Sequence, residues 1–204
     1  MIARPERTLL EGEANADPFR QFHAWLRDAT QAAEPLANAM ALATIDTQTS
    51  TPSVRMVLLE TLDERGFVFQ TNRASPKAHD LSANPKVAAT FFWPSFVRQV
   101  RLSGSVEELS REEAQRFFEP MPEDIKAMLR VCHQSEVIAD RAALERAFAA
   151  AVADPDRTLP DHWGAYRLVP EWIEFFQGRQ HWLQDRLRYT RGAHGGWSIE
   201  RLVP

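Results

Sequence analysis

Ser53-Val-Arg-Met-Val-Leu-Leu-Glu60, then Leu62-Asp-Glu-Arg-Gly66 and Gly66-Phe-Val-Phe-Gln-Thr71, read as two strands joined by a turn. β-Branched and aliphatic residues crowd the first run, Pro52 bars a helix before it, and Asp-Glu-Arg-Gly carries turn chemistry. A helix start follows at once in Asn72-Arg-Ala-Ser-Pro-Lys-Ala-His-Asp-Leu81. Ser75 suits the N-cap, Pro76 the first helical position, and Asn84-Pro85 the end. Such a terminus offers N–H groups without intrahelical partners and a partial positive charge. Lys77 in its first turn is electrostatically out of place unless an anion binds there. With the Thr71 and Ser75 hydroxyls nearby and Arg55 within reach on the paired strand, phosphate is the expected guest, a stray surface lysine being the plainer alternative.

Upstream, residues 1–16 show no period and read as a mobile arm, and Asp17-Pro18 caps an amphipathic helix to about Ala33 with Phe19, Phe22, Trp25 and Leu26 on one face. Ala39–Asp46 is a strand. Downstream, Lys86–Trp93 and Arg98–Glu108 are two more, so strands follow one another across short turns, the order of an antiparallel barrel or meander. Gln99 either hydrogen-bonds the edge of a flat heteroaromatic ring or simply faces solvent. Ser110-Arg-Glu-Glu113 is a capping box, Pro122 opens a helix running towards Cys132, and Ala142–Ala153 is an alanine-rich helix. The last quarter returns to strands over His162–Val169, Trp172–Gln177, Arg186–Arg191 and Trp197–Leu202.

The 204 residues, 44% hydrophobic and 25% charged, suffice for one good-sized core and fit a soluble globular domain, read as 17–204 with a C-terminal segment from about 160. A net charge of -4 argues against nucleic acid as a partner. Neither a signal peptide nor a membrane-spanning run is visible, and a single cysteine, Cys132, forms no intrachain disulfide framework, so the expected location is the cytoplasm. Cys132 beside His133 reads as inert packing rather than a thiolate pair. No metal site is assigned.

Taken in order, Arg55-Met-Val-Leu-Leu59, Phe69-Gln-Thr-Asn72 with Ser75-Pro-Lys-Ala78, Arg98-Gln-Val-Arg101, Gln134-Ser135, Pro160-Asp-His-Trp-Gly164 and Ile173-Glu-Phe-Phe-Gln-Gly178 with Asp185-Arg186 carry a resemblance. The chain resembles the pyridoxine 5'-phosphate oxidase family of FMN-dependent split-barrel oxidases from about Asp17 to Pro204. The resemblance implies a six-stranded antiparallel split barrel with flanking helices, an α+β protein, dimerising with FMN at the subunit interface. It implies that Arg55 and Lys77 bind the FMN phosphate, that Thr71 and Ser75 assist, and that Met56, Val57, Leu58 and Gln70 line the cofactor. It further implies that Gln99 faces the isoalloxazine, that Gln134 and Ser135 come from the partner subunit, and that Phe176 and Arg186 flank the flavin. The family usually has tryptophan at Phe176 and arginine at Pro76, so one phosphate contact is missing.

Departures concentrate in the substrate pocket. Where oxidases acting on pyridoxine phosphate carry a lysine, this chain has Glu60; their tyrosine, arginine and serine align with Phe117, Met121 and Ile125; their arginine and histidine with Trp182 and Gln184. A carboxylate and apolar side chains would leave a phosphate dianion desolvated and unpaired, which costs several kcal/mol. The pocket is expected to take a flat, apolar, non-phosphorylated molecule, with Trp182 as a stacking wall and Gln184 or His181 on a carboxylate. Gln134-Ser-Glu136 and Leu187-Arg-Tyr189 resemble the branch that oxidises reduced tricyclic phenazine carboxylates with dioxygen. A pyridoxine/pyridoxamine 5'-phosphate oxidase and a non-catalytic flavin-binding protein are the alternatives, and no general base is assigned.

Overall fold

The computed structural model describes residues 7–204, apart from the side chain of His181. Eight strands and five helices follow in the order α1 (Pro18–Gln31), β1 (Ala39–Asp46), β2 (Thr51–Asp63), β3 (Gly66–Asn72), α2 (Pro76–Ala83), β4 (Lys86–Trp93), β5 (Arg98–Glu108), α3 (Arg111–Phe118), α4 (Glu123–Val131), α5 (Arg141–Ala153), β6 (Trp163–Gln177), β7 (Asp185–Arg191) and β8 (Trp197–Arg201). All pairings are antiparallel in the order β3-β2-β1-β4-β5-β6-β7-β8, and β3 also pairs with β6. That second pairing closes β1–β6 into a six-stranded barrel and leaves β7 and β8 as an outward flap. The expected split barrel is thus the observed fold, and closure removes the exposed edges that a six-stranded open sheet would present.

Alternation along the strands fills the barrel. Met40 and Leu42, Val57 and Leu59, Phe67 and Phe69, Phe91 and Trp93, and Val100 and Leu102 all point inward, where Phe22 and Trp25 of α1 close one end. Phe22 meets Phe67 and Phe91 edge-on at centroid distances of 4.9 and 4.8 Å. Arg98 pins α1 to the barrel from a buried position: its guanidinium bonds Asp28 at 2.7 Å and Gln177 at 2.9 Å and lies 4.5 Å from the Trp25 ring. A second cluster, outside the barrel, packs Val68 and Ala165 against Leu109, Ala114 and Phe118 of α3 and its approach, with Leu129 of α4.

Two expectations change. Residues 1–6 of the supposed arm lie outside the described residues, but 7–16 are tied down. Leu9 is buried and its N–H bonds Asp185 at 3.1 Å, Arg201 reaches Glu11 and the Leu9 carbonyl at 2.8 Å, and the Tyr189 hydroxyl donates to the Asn15 carbonyl. Residues 163–177 form one strand rather than two strands broken at Pro170. Register runs Ser103 to Trp172 and then Gly104 to Pro170, so Glu171 is an extra residue at a β-bulge, where a missing N–H is tolerated.

Candidate functional site

At one barrel end α2 lies across the strands, and Lys77 in its first turn is buried beneath it, 6% exposed. Its ammonium donates to Thr71 Oγ1 at 2.9 Å, Ser75 Oγ at 3.1 Å and Gln134 Oε1 at 2.7 Å. All three acceptors are neutral. Desolvation, reinforced by the nearby Arg55 charge, lowers the lysine to about 8. Arg55, from β2, donates to the Leu42 carbonyl at 3.1 Å, to Thr44 Oγ1 at 2.8 Å and to Ser53 Oγ at 2.9 Å. Its one carboxylate neighbour, Asp80, stands 3.9 Å off and accepts the Thr44 hydroxyl at 2.6 Å. Two adjacent cations, one of them enclosed among uncharged oxygens, form a donor set that suits a phosphate dianion, and the FMN phosphate fits it.

Several assignments move. Ser75 occupies the N-cap position but does not cap: its hydroxyl donates to the Asn72 carbonyl at 2.6 Å and accepts from Lys77, while the N–H groups of Ala78 and His79 go to the Ser75 carbonyl. Side chains, rather than the bare helix terminus, therefore supply most of the positive character. Gln134 accepts from Lys77 of its own chain, because the segment after α4 folds back over β3, where Asn72 Nδ2 also bonds the Cys132 carbonyl. Ser135 follows with φ at +73°. Val57 belongs to the barrel interior, whereas Met56 and Leu58 stand 62% and 50% exposed on the outer face.

The strand registers sort the remaining residues. Gln99 is opposite Phe176, which is opposite Arg186, so these three share one outward row with Phe92. Thr71, beside Lys77, is opposite Gly164, twelve positions back along β6 from Phe176 and about 40 Å away along the contour at ~3.3 Å per residue. Within one chain, then, Gln99, Phe176 and Arg186 group together. Arg186 donates twice to the buried Glu174 at 3.0 and 2.9 Å and once to the Val203 carbonyl at 2.9 Å.

On the outer side of β3, toward the second cluster, Gln70 donates to Glu60 at 3.0 Å and accepts from the Trp163 indole N–H at 3.0 Å. Phe117, Met121 and Trp163 are half-buried and pack against the second apolar cluster. Trp163 lies in the Pro160-Asp-His-Trp-Gly164 stretch that carries the resemblance, but the sequence alone assigns it no role. Ile125 instead faces α5, in an apolar groove with Leu144 and Phe148. Gln184 Oε1 accepts the Arg179 N–H at 2.6 Å across the turn Gln180–Trp182, which leaves the amide NH2 as the group that could donate to a carboxylate. Trp182 is 74% exposed with φ at +65°, and the His181 side chain lies outside the described residues.

A closed six-stranded antiparallel barrel with an outward flap and an anion-accepting end defines an α+β split-barrel binding protein. The chain belongs to the pyridoxamine 5'-phosphate oxidase family: residues 26–152 match its pyridoxamine 5'-phosphate oxidase model, and 163–204 match the pyridoxine 5'-phosphate oxidase C-terminal dimerisation region. It is 45% identical to a pyridoxine/pyridoxamine 5'-phosphate oxidase of Pseudomonas putida (strain W619), over 96% of this chain and 93% of that one. A similarly named protein of Bordetella petrii is 46% identical, with 97% and 94% covered. Among solved structures, PhzG from Burkholderia lata 383, in complex with tetrahydrophenazine-1-carboxylic acid, superposes with a TM-score of 0.89 at 27% identity, covering 97% of this chain and 98% of that one. A pyridoxamine 5'-phosphate oxidase-related, FMN binding protein of Nostoc punctiforme shares the fold at a TM-score of 0.76 and 19% identity, covering 92% and 97%.

Proposed function

We propose that this member of an oxidase family is an FMN-dependent enzyme that aromatises a flat, reduced, non-phosphorylated heterocycle, such as a dihydro- or tetrahydrophenazine carboxylate, with dioxygen as acceptor. One observation carries the reading: besides an enclosed dianion site at Lys77 and Arg55, the chain hydrogen-bonds Glu60 through Gln70 to Trp163, which packs with Phe117 and Met121 on one apolar cluster. The first suits the cofactor's phosphate, and the second sets a carboxylate, Glu60, that would repel a phosphorylated substrate. Bound flavin supplies the two-electron chemistry, while the protein grips, orients and keeps the reacting faces dry. Lys77, Arg55 and Thr71 hold the phosphate, and Gln134 closes over it. Gln99, Phe176 and Arg186 serve the cofactor of a second copy, which is why the site works as a homodimer. The likeness in fold to a protein solved with a tetrahydrophenazine carboxylate supports this substrate class. The expected setting is the cytoplasm, and among the described residues no helix is long and apolar enough to cross a membrane.

Mixing FMN-loaded protein anaerobically with a dihydrophenazine carboxylate tests the reading. Bleaching of the flavin band, and its return on admitting air, is the expected result. Identity of 45–46% to curated relatives over nearly the whole chain favours a second reading, pyridoxine/pyridoxamine 5'-phosphate oxidation. Bleaching by pyridoxine phosphate and not by the tricycle would establish that one, and bleaching by neither would leave a flavin carrier.

A further inference from the structure

Glu60 is placed unlike an ordinary surface carboxylate. Register between β2 and β3 slips from Leu59–Phe69 to Thr61–Val68, so Glu60 is the unpaired residue of a bulge, a device that re-aims a side chain. Among the described residues it makes no ion pair, although the chain has 24 lysines and arginines. One oxygen accepts from Gln70 Nε2, and Gln70 cannot turn because the Trp163 indole holds its carbonyl. The indole in turn packs on the second apolar cluster with Phe117 and Met121. A donor chain anchored in packing thus fixes one carboxylate oxygen of the exposed Glu60 and leaves the other for a donor from outside. Gln70 precedes Thr71, the hydroxyl that holds Lys77, on the same strand, with the two side chains on opposite faces.

We propose that Glu60 is the specificity-determining residue of this site, selecting flat heterocycles that present a ring N–H or other cationic donor and rejecting rings that present only a lone pair or a phosphate. Gln70 and Trp163 act on it as positioning residues. This rests on the reading of the site as one for reduced heterocycles, and it adds a consequence: a ring with an N–H gains a charge-assisted hydrogen bond from Glu60, whereas the corresponding aromatic ring turns a lone pair toward the carboxylate. The pocket therefore holds the reduced form more tightly than the oxidised one. A hydrogen bond to a charged group corresponds to a preference of about tenfold or more.

Acridone, which is flat, redox-inert and bears a ring N–H, and acridine, which offers a lone pair in its place, separate these effects. Their dissociation constants from FMN-loaded protein are read from perturbation of the flavin spectrum, for the wild type, Glu60→Gln and Trp163→Phe. Expected is a preference for acridone of about tenfold that collapses toward unity in Glu60→Gln and shrinks in Trp163→Phe. Glu60→Lys should bind pyridoxine phosphate at least about tenfold more tightly than the wild type does. Equal wild-type affinity for the two tricycles, or a preference that survives Glu60→Gln, overturns the proposal while leaving the oxidase reading intact. Binding of neither tricycle overturns both. Retained yellow colour and an unchanged melting temperature mark the exposed Glu60 variants as folded.

Discussion

Lys77 is a cation enclosed by oxygen atoms that carry no charge, and its energetics should show in solution. Its folded value of about 8 lies below the ordinary 10.5, so between those two pH values the unfolded chain holds a proton that the folded chain has lost. Unfolding free energy from this group therefore rises with pH across that window, and the burden is fully present below pH 8. Lys77→Met should raise the urea midpoint of cofactor-free protein at pH 7, and the gap from wild type should narrow by pH 9.5. The same substitution should weaken FMN binding by about 10–100-fold, the equivalent of one charge-assisted contact. Wild-type affinity should itself decline as pH climbs above 8, because only the protonated amine attracts the dianion; flavin fluorescence titrations measure both effects. At this scale the sequence showed which residues could act, since a lysine in a first helical turn beside Thr71 and Ser75 is visible by inspection. It did not show that Gln134 would reach Lys77 from the same chain, because that bond joins residues through the fold and no local rule encodes it.

Elements were legible wherever local chemistry marks both ends. β1, β4 and β5 have the bounds read from their composition, and α2, α3 and α4 start where proline or a capping box places them. Legibility failed at Pro170, where proline usually stops a strand and here sits beside an extra residue that absorbs the register change. That arrangement needs close backbone approach: a Cβ on Gly104 would lie 2.0 Å from the Val169 carbonyl oxygen and 2.8 Å from Pro170 Cα. Gly104→Ala should cost about 1–3 kcal/mol or more, since backbone rather than a flexible side-chain tip must move. Gly12→Ala, whose Cβ would meet nothing within 4 Å, is the matched control expected to stay near zero, and urea denaturation compares the two.

For the whole molecule, the outer face of β2, β1 and β4 carries Val54, Met56, Leu58 and Phe92 at 50–67% exposure, next to the row that holds Gln99, Phe176 and Arg186. A surface so apolar calls for a partner. Met56→Glu should convert the dimer to monomer in light scattering and release FMN, because the partner's share of each site leaves with it. The barrel's seam has a further consequence for the way the chain is made. Strand β3 is complete by Asn72, yet its second neighbour begins only at Trp163, so the ribosome must deliver some ninety more residues before the cylinder can shut. Until then β3 has a free edge. A nascent chain stalled short of that point would be the species most in need of a chaperone, and folding should be slow, in the millisecond-to-second range of domains ruled by distant pairings.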